Sequence, residues 1–368
     1  MFFLAFSCEN KIEIDKKTVF RYNETKNINS LDPIFAKDLS SIKVVNQLFN
    51  GLVDLNTKLE VIPSIAKSWN ISSDGKVYTF ILRNDVFFHP HPDLPERNVR
   101  AKDFEYSFER LIDPNNASPG KWVFDKVDNF KAINDTIFKI VLHQPYNPFL
   151  GILTMKYCSV VPKKVIESAN TEFRSSPIGT GPFKFKRWEE NIKLVLRKND
   201  EYFEKDEKGV KLPYLEAVSI TFLPEKQSEF LQLIKDEIDM ISGIDSSFKD
   251  EILEINGDIK NKYKQSIKML KGPFLNTEYL AFFMNSTKEE VQSPLIRKAI
   301  NIGFDKNKMI RFLRNGIGKP ANGGIIPIGL QGFKINQNNI YDPEKAKEYV
   351  DQYKKITNEI PNLKLTTS

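Results

Sequence analysis

Residues 73–83 read SDGKVYTFILR, a turn signal followed by a strictly alternating segment. Asp74-Gly75 is a pair that favours a tight hairpin turn, and Val77–Leu82 alternates in the manner of a half-buried strand. Trp69-Asn70-Ile71 lies directly before the turn. The stretch therefore predicts a β-hairpin with one buried face.

Helical patterns lie on both sides of this hairpin. Upstream, Ser40–Leu52 carries apolar residues at helical spacing, and Gly51 suits the end of that helix. Downstream, Ala101–Leu111 has an apolar stripe and stops before Asp113-Pro114. We expect an amphipathic helix at each place.

Further strands and helices follow without strict alternation. The patterns predict strands at Thr18–Tyr22, Ile137–Leu142, Lys193–Leu196, Val218–Phe222, Tyr279–Met284 and Asn362–Thr366. They predict helices at Ser228–Lys235, from Pro294 to Gly303, and after the capping sequence Asp342-Pro343-Glu344. A Pro/Gly cluster at Pro177–Pro182 marks a segment boundary. This mixture indicates an α/β fold of the mixed α+β kind.

Composition excludes several classes of protein. The 368 residues predict two or three domains, and 28 Phe, 12 Tyr and 3 Trp are too many for a disordered chain. No run of about 18 apolar residues occurs, so no membrane-spanning helix is expected. The net charge is +6, and the sequence contains no block of five or six like charges. A nucleic-acid partner is therefore not indicated.

The two cysteines differ in their surroundings. Cys158 lies in the apolar stretch Met155–Val161 and is expected to be a small buried side chain. Cys8 follows the apolar run Met1–Ser7, which resembles the end of a bacterial lipoprotein signal peptide. We therefore expect Cys8 to be lipidated and residues 1–17 to be a signal remnant and tether. No basic residue precedes the run, so a frayed apolar N-terminus is the alternative.

Motifs for catalysis and for cofactor or metal binding are absent. The sequence has no GxxxxGK[ST], GxGxxG, HExxH, GxSxG or CxxC. His89-Pro90-His91 is interpreted as a solvated loop rather than a metal site. Asp103, Glu105 and Glu109 are interpreted as a solvated helix face rather than a hydrolytic pair. We expect no catalytic residue, no metal and no cofactor.

A set of separated segments carries a resemblance when the segments are taken in order. They are Leu31–Pro33, Asn50–Val53, Pro63–Trp69, Ser73–Arg83, Ala101–Ser107, Pro177–Phe183, Arg197–Phe203, Pro213–Leu215, Ile238-Asp239, Arg297–Lys306 and Tyr341–Ala346. Together they resemble the family 5 extracellular solute-binding proteins, the oligopeptide, dipeptide and nickel group that feeds ABC importers. Asn50 departs from the usual Glu of the family, and His89–Arg97 is an insertion.

The resemblance implies a periplasmic-binding-protein-like class II clamshell with an extra inserted domain. Domain I would be discontinuous, formed by 18–44 and 170–270, with domain II inserted as 45–169. Domain III would begin at 271 and be incomplete at 368, a C-terminal truncation relative to the family. The carboxylate that pairs with a peptide amine in the family would then lie beyond residue 368. We accordingly expect these 368 residues alone to fold in domains I and II and to show no measurable peptide affinity.

The function implied by the resemblance is that of a non-enzymatic receptor. It would bind peptides, or alternatively nickel, sugars or opines, and deliver them as a monomer to ABC permease subunits. Its place would be the cell envelope, in the periplasm or on the outer face of the cytoplasmic membrane, with a lipid anchor on that membrane. Two other classes stay open: an envelope hydrolase, and a nonfunctional or moonlighting fragment of a binding protein. The ligand-binding residues expected from the resemblance are Ser40, Ser41, Trp122, Tyr279, Phe282 and Asn285.

Overall fold

The computed structural model describes residues 18–94, 96–168, 172–245, 248–272, 275–330, 332–336 and 339–365. The chain divides into two compact units between Ser242 and Gly243, and each unit is described by itself. Cys8 and the expected tether at 1–17 lie outside the described residues. The three-domain division expected from the resemblance stays a prediction.

The described strands all belong to the first unit. They are β1 (Val19–Asn23), β2 (Val53–Leu55), β3 (Val61–Pro63), β4 (Ala66–Ile71), β5 (Val77–Leu82), β6 (Val127–Ala132), β7 (Ile137–Leu142), β8 (Phe183–Glu189), β9 (Lys193–Lys198) and β10 (Ala217–Thr221). Its α-helices are α1 (Leu39–Leu48), α2 (Ala101–Ile112), α3 (Phe149–Ile152), α4 (Lys163–Ile166) and α5 (Lys226–Ile234). The second unit contains α6 (Lys249–Ile252), α7 (Glu289–Gln292), α8 (Pro294–Gly303), α9 (Lys306–Leu313) and α10 (Pro343–Thr357).

The first sheet joins residues from the two ends of the first unit. Its strand order is β1-β10-β9-β8, with β1 parallel to β10 and antiparallel pairing elsewhere. Val19 pairs with Ala217, and Leu196 pairs with Val218. The N-terminal strand and the strands after residue 182 therefore share one sheet.

The second sheet forms between these two segments of sequence. Its order is β4-β5-β7-β6, and β4 and β5 form the hairpin that the Asp74-Gly75 turn predicts. Helix α2 covers one face: the ring centroids of Phe104 and Phe108 lie 5.9 and 5.5 Å from that of Phe138. These rings are fully buried and lie in the hydrophobic core of the first unit.

The expectation of a solvated carboxylate face on α2 was wrong for Asp103. This residue is buried, and it accepts bonds from Arg97 at 2.7 and 2.8 Å and from the Arg100 backbone N–H at 2.8 Å. The carboxylate thus caps the helix and pairs with an arginine from the preceding loop. The charge pattern of the α2 sequence did not reveal Arg97 as a partner, because Arg97 lies outside the helix.

The chain crosses back to the first sheet through Gly179 and Gly181, which lie tightly against the end of α1. A Cβ added to Gly179 would lie 1.9 Å from the carbonyl oxygen of Leu48, and one added to Gly181 would lie 2.5 Å from that of Gln47. A larger residue at either position would have to displace helix backbone, so the approach requires glycine.

The expectation that His89 is part of a solvated loop was also wrong. Its side chain is 2% exposed, and its backbone N–H donates to the carbonyl of Gly179 at 2.7 Å. Burial lowers the pKa of His89 from 6.5 to about 4. The histidine is a packed link between two segments of the first unit.

The second unit contains helices and irregular segments. Its small core forms where α8 and α10 pack through Ala299, Ile302 and Ala346, and Asp342 caps α10 by accepting from the Lys345 N–H at 3.0 Å. The strands expected at Tyr279–Met284 and over 362–365 do not form. A strand needs a hydrogen-bonded neighbour, and the described part of this unit has only an isolated bridge between Leu253 and Ile259. Across the described residues of both units, no helix has the length and apolar character needed to cross a bilayer.

Candidate functional site

The candidate site lies where β1 ends and α1 begins. In sheets with parallel strands, ligands commonly bind outside the carboxyl ends of those strands. β1 and β10 form such a parallel pair, and Asn23 and Glu24 stand at the end of β1. Two of the expected ligand-binding residues, Ser40 and Ser41, occupy the first turn of α1.

Glu24 anchors α1 to the end of the strand. The residue is 7% exposed, and its carboxylate accepts from Ser40 Oγ at 2.9 Å and from Lys43 Nζ at 2.6 Å. Its backbone N–H donates to the carbonyl of Thr221 at 2.9 Å. The Ser40 hydroxyl is therefore committed to a buried carboxylate, and a charged Lys43 side chain covers that contact.

Asp38 begins the helix by capping it. Its carboxylate accepts from the Ser41 N–H and from Ser41 Oγ, both at 2.9 Å, and from Asn29 at 3.2 Å. Burial by itself would raise the pKa of Asp38, but the hydrogen bonds from Ser41 and Asn29 outweigh it and hold that pKa below its usual value. An ionised Asp38 complements the positive end of the α1 dipole.

Trp122 lies on a segment that packs toward the same end of α1. It occupies a short 3-10 helix, Lys121–Phe124, and is 48% exposed. Ser118 on this segment donates to the carbonyl of Ile34 at 2.6 Å. Gly120 packs closely against the Tyr157 ring: a Cβ added to Gly120 would lie 2.3 Å from Cγ of Tyr157.

Tyr157 links the Trp122 segment to the cap of α1. Burial raises the pKa of the Tyr157 hydroxyl, and the nearby Asp38 charge raises it further. The structure therefore brings Ser40, Ser41 and the segment carrying Trp122 into one region. The two serines are buried, so the Trp122 ring is the expected site residue that presents its side chain to solvent there.

Further polar residues at this edge were missed by the sequence analysis. Asn23 accepts from the Leu223 N–H at 2.7 Å, and the buried Glu229 pairs with Lys226 at 2.7 Å. Glu24 and Lys43 belong to the same group of missed residues. The available signal was their position, because polar residues directly after a predicted parallel strand point to the carboxyl edge of its sheet.

The other three expected site residues belong to the second unit. Tyr279 is 69% exposed, Asn285 is exposed and Phe282 is half-buried, all within the irregular segment at 275–285. Their part in ligand binding stays a prediction.

A second polar cluster fixes the segment that crosses back to the first sheet. Thr180 Oγ1 accepts from the Asn50 N–H at 3.2 Å and donates to Asn50 Oδ1 at 3.1 Å, while Asn50 Nδ2 donates to the Tyr202 hydroxyl at 3.2 Å. Asn50 is the position where the family usually has Glu. An amide can accept from Thr180 and donate to Tyr202 together, which an ionised carboxylate cannot do.

The chemistry of these clusters is that of holding and positioning. The carboxylates of Glu24 and Asp38 are held by hydroxyl, amide and ammonium donors. Within the described ranges, no group of three or more His, Cys, Asp or Glu side chains is arranged to hold a metal ion.

Comparison with known proteins identifies the family. The family model described as bacterial extracellular solute-binding proteins, family 5 Middle, matches residues 60–366. The chain belongs to the family 5 bacterial extracellular solute-binding proteins. That match covers most of the chain and includes the β4–β5 hairpin, the second sheet, strands β8, β9 and β10 of the first sheet and the described helices that follow α1.

Relatives and solved structures agree with this family. The dipeptide-binding protein of Escherichia coli is 28% identical over 329 residues, which are 84% of this chain and 57% of that protein. Helicobacter pylori DppA, solved with the peptide STSA, superposes with a TM-score of 0.71 at 26% identity, covering 91% of this chain and 66% of that one. Campylobacter jejuni NikZ, solved with Ni(L-His), gives a TM-score of 0.69 at 25% identity, covering 92% and 63%. The chain therefore spans between about one half and two thirds of the length of these proteins.

Proposed function

We propose that the protein is an extracytoplasmic receptor that binds peptides and delivers them to the permease subunits of an ABC importer. Membership of the solute-binding family carries this proposal. Because that family consists of binding proteins, its membership supports a receptor in preference to an enzyme. Its location would be the cell envelope, and lipidation of Cys8 would tether it to the membrane.

The ligand class is proposed from the relatives. Two of the compared proteins are a dipeptide-binding protein and a protein solved with a bound peptide. A nickel–histidine complex is the contrasting ligand, because NikZ was solved with it. His89 offers such a complex no ligand, since both of its ring nitrogens contact backbone groups of the crossing segment.

The geometry at α1 supports a receptor that holds its ligand by backbone and by a stacking surface. The hydroxyls of Ser40 and Ser41 donate to Glu24 and Asp38 within the protein. These bonds hold the first turn of α1 rigid, so that its backbone is the part available to a ligand. The exposed Trp122 ring supplies an apolar surface on a segment that is bonded, through Ser118, to the loop before α1. Peptides are suited to this mode, since their main chains pair with backbone groups while their side chains occupy apolar surfaces.

The experiment is a thermal-shift and calorimetric titration of the full-length protein with Ala-Ala, with tri-alanine and, separately, with Ni(L-His). A peptide at a hundred times its Kd adds about 2.7 kcal/mol to the free energy of unfolding and raises Tm by several degrees. We expect at least one peptide to do so and Ni(L-His) not to. Stabilisation by Ni(L-His) alone would show that the ligand is a nickel complex and not a peptide. A response to none of the probes would overturn the proposal.

A further inference from the structure

Helix α2 lies on one face of the second sheet, and the opposite face is directed away from it. Tyr78, Phe80, Phe138 and Ile140 point toward α2 and are buried, so the alternate residues of β5 and β7 point away from it. These residues are half-buried. We call this side of β4-β5-β7-β6 the outer sheet face.

Two lysines stand directly opposite each other on the outer sheet face. Lys131 on β6 pairs in register with Lys139 on β7. Opposed side chains on one face have their Cβ atoms about 5 Å apart, and like charges at that separation destabilise the sheet. The pair therefore has an energetic cost in the folded protein.

No described carboxylate offsets this cost through an ion pair with either lysine. Glu105 is the acid whose pKa responds to the charge of Lys131. Its carboxylate is partly buried, however, and is already hydrogen-bonded to other groups. Its carboxylate accepts from Lys102 at 2.9 Å and from the Ala132 N–H at 2.6 Å. Within the described residues of the first unit, the ammonium groups of Lys131 and Lys139 therefore have no ion-pair partner.

Protection of a sheet edge does not account for both lysines. A lysine on an edge strand discourages edge-to-edge association, and Lys131 on the edge strand β6 would serve that purpose. Lys139 lies on β7, which is hydrogen-bonded to β5 on one side and to β6 on the other. Because β7 has no free edge, protection against edge-to-edge association does not explain Lys139.

Aliphatic residues flank the lysine pair on both sides along the strands. Ile81 pairs with Ile137 on one side, and Val77 pairs with Val141 on the other, all four half-buried. The face therefore combines ammonium groups at its centre with apolar side chains around them. That combination suits the boundary of an anionic bilayer, where phosphates meet the first acyl carbons.

We propose that the outer sheet face docks on an anionic membrane surface. The phosphodiester of an acidic lipid lies between the ammonium groups of Lys131 and Lys139 and removes their repulsion. Val77, Ile81, Ile137 and Val141 rest on the headgroup layer. Docking through this face is independent of lipidation at Cys8 and of the ligand bound.

The test measures binding of the purified, unacylated protein to vesicles by co-sedimentation. One set of vesicles contains phosphatidylcholine with about one third phosphatidylglycerol, and the other contains phosphatidylcholine alone. We expect binding to the anionic vesicles only, weakening as salt is raised. The double variant K131Q/K139Q should lose roughly thirtyfold in affinity, since each lysine near such a surface contributes about fivefold.

Two further variants separate docking from net charge and from folding. K58Q/K186Q removes the same charge from exposed lysines off this face and should bind as the wild type does. K131E places opposite charges across β6 and β7, so it should raise Tm by about 1–3 °C while still losing vesicle binding. Absence of binding to anionic vesicles, equal binding to neutral ones, or equal losses in both double variants would overturn the proposal.

Discussion

His89 Nε2 lies 3.0 Å from the carbonyl oxygen of Gly181, while the Gly179 N–H lies 3.3 Å from His89 Nδ1. The imidazole therefore donates through Nε2 to one glycine and accepts through Nδ1 from the other. Only the neutral ring with its proton on Nε2 satisfies both contacts. A protonated ring would turn an N–H toward the Gly179 N–H.

This arrangement makes the stability of the first unit depend on pH. Burial places the pKa of His89 near 4 in the folded protein, below its value of 6.5 in the unfolded chain. Between these values the unfolded state binds the proton more tightly, so stability is complete above about pH 6.5 and falls as pH drops toward 4. The loss from this group reaches about 3 kcal/mol.

Urea unfolding from pH 7 to pH 4.5 measures the effect in His89→Gln and in a control, His143→Gln. His143 lies at the surface, so His143→Gln removes a histidine without disturbing a buried contact, and the slope of stability against pH is compared between the two variants and the wild type. His89→Gln should flatten that slope. An NMR titration showing the folded His89 ring protonated near pH 6 would contradict the assignment.

Local patterns predicted the elements whose signals lie within a few residues. The Asp74-Gly75 turn with its alternating strand produced the β4–β5 hairpin, and the apolar stripe of Ala101–Leu111 became α2. Asp342 caps α10 as its sequence suggests. In each case the deciding interaction is a turn, a cap or one amphipathic face.

The wrong expectations share a dependence on partners outside the helix or loop that carries the pattern. His89 and Asp103 are polar and were assigned to solvent, but Gly179 on the crossing segment and Arg97 in the loop before α2 supply their partners. Tyr279–Met284 has a strand-like sequence without a neighbouring strand among the described residues. For the site, Ser40 and Ser41 were located, whereas the dependence of Ser40 on Glu24 required knowing how α1 lies against β1.

Replacing Thr180 by Val should destabilise the crossing segment. Thr180 is buried, and its hydroxyl both accepts from and donates to Asn50. Valine keeps the shape but leaves the Asn50 N–H and Oδ1 without that partner, at a cost of about 2 kcal/mol in the free energy of unfolding. Thr180→Ser retains the hydroxyl and is the control. Equal unfolding midpoints for the two variants would show that the hydrogen bonds do not stabilise the segment.

Replacing Asp32 by Asn should loosen α2 from the N-terminal loop. Arg110 on α2 donates to both oxygens of Asp32, one of them at 2.8 Å, and both side chains are largely buried. Loss of one partner leaves a buried guanidinium without its counter-charge, which costs about 3 kcal/mol. Asp85→Asn breaks the exposed pair with Arg83 and should cost less than about 1 kcal/mol. Similar losses in both variants, measured by chemical denaturation, would refute the distinction.

Lipidation is tested by Cys8→Ser in the native host. If a diacylglyceryl group on Cys8 anchors the protein, the variant should move from the membrane to the soluble fraction while keeping its Tm. Cys158→Ala is the control, because Cys158 is buried and burial raises the pKa of its thiol. That variant should stay with the membrane fraction. Unchanged membrane partition of Cys8→Ser would show that Cys8 carries no anchor.

Trp122→Ala and Tyr279→Ala test the two exposed aromatic residues expected to touch the ligand. Their rings are 48% and 69% exposed, so truncation removes little packing and should leave Tm nearly unchanged. A ring that covers a bound peptide contributes buried apolar area, and its loss should weaken peptide binding by about tenfold in the full-length protein. Ile192→Ala, which removes an equally exposed side chain at the turn between β8 and β9, should leave affinity unchanged. Calorimetric titration with the peptide that stabilises the wild type measures all three variants. Wild-type affinity in Trp122→Ala would remove the α1 region from the binding surface, and wild-type affinity in Tyr279→Ala would remove the segment at 275–285.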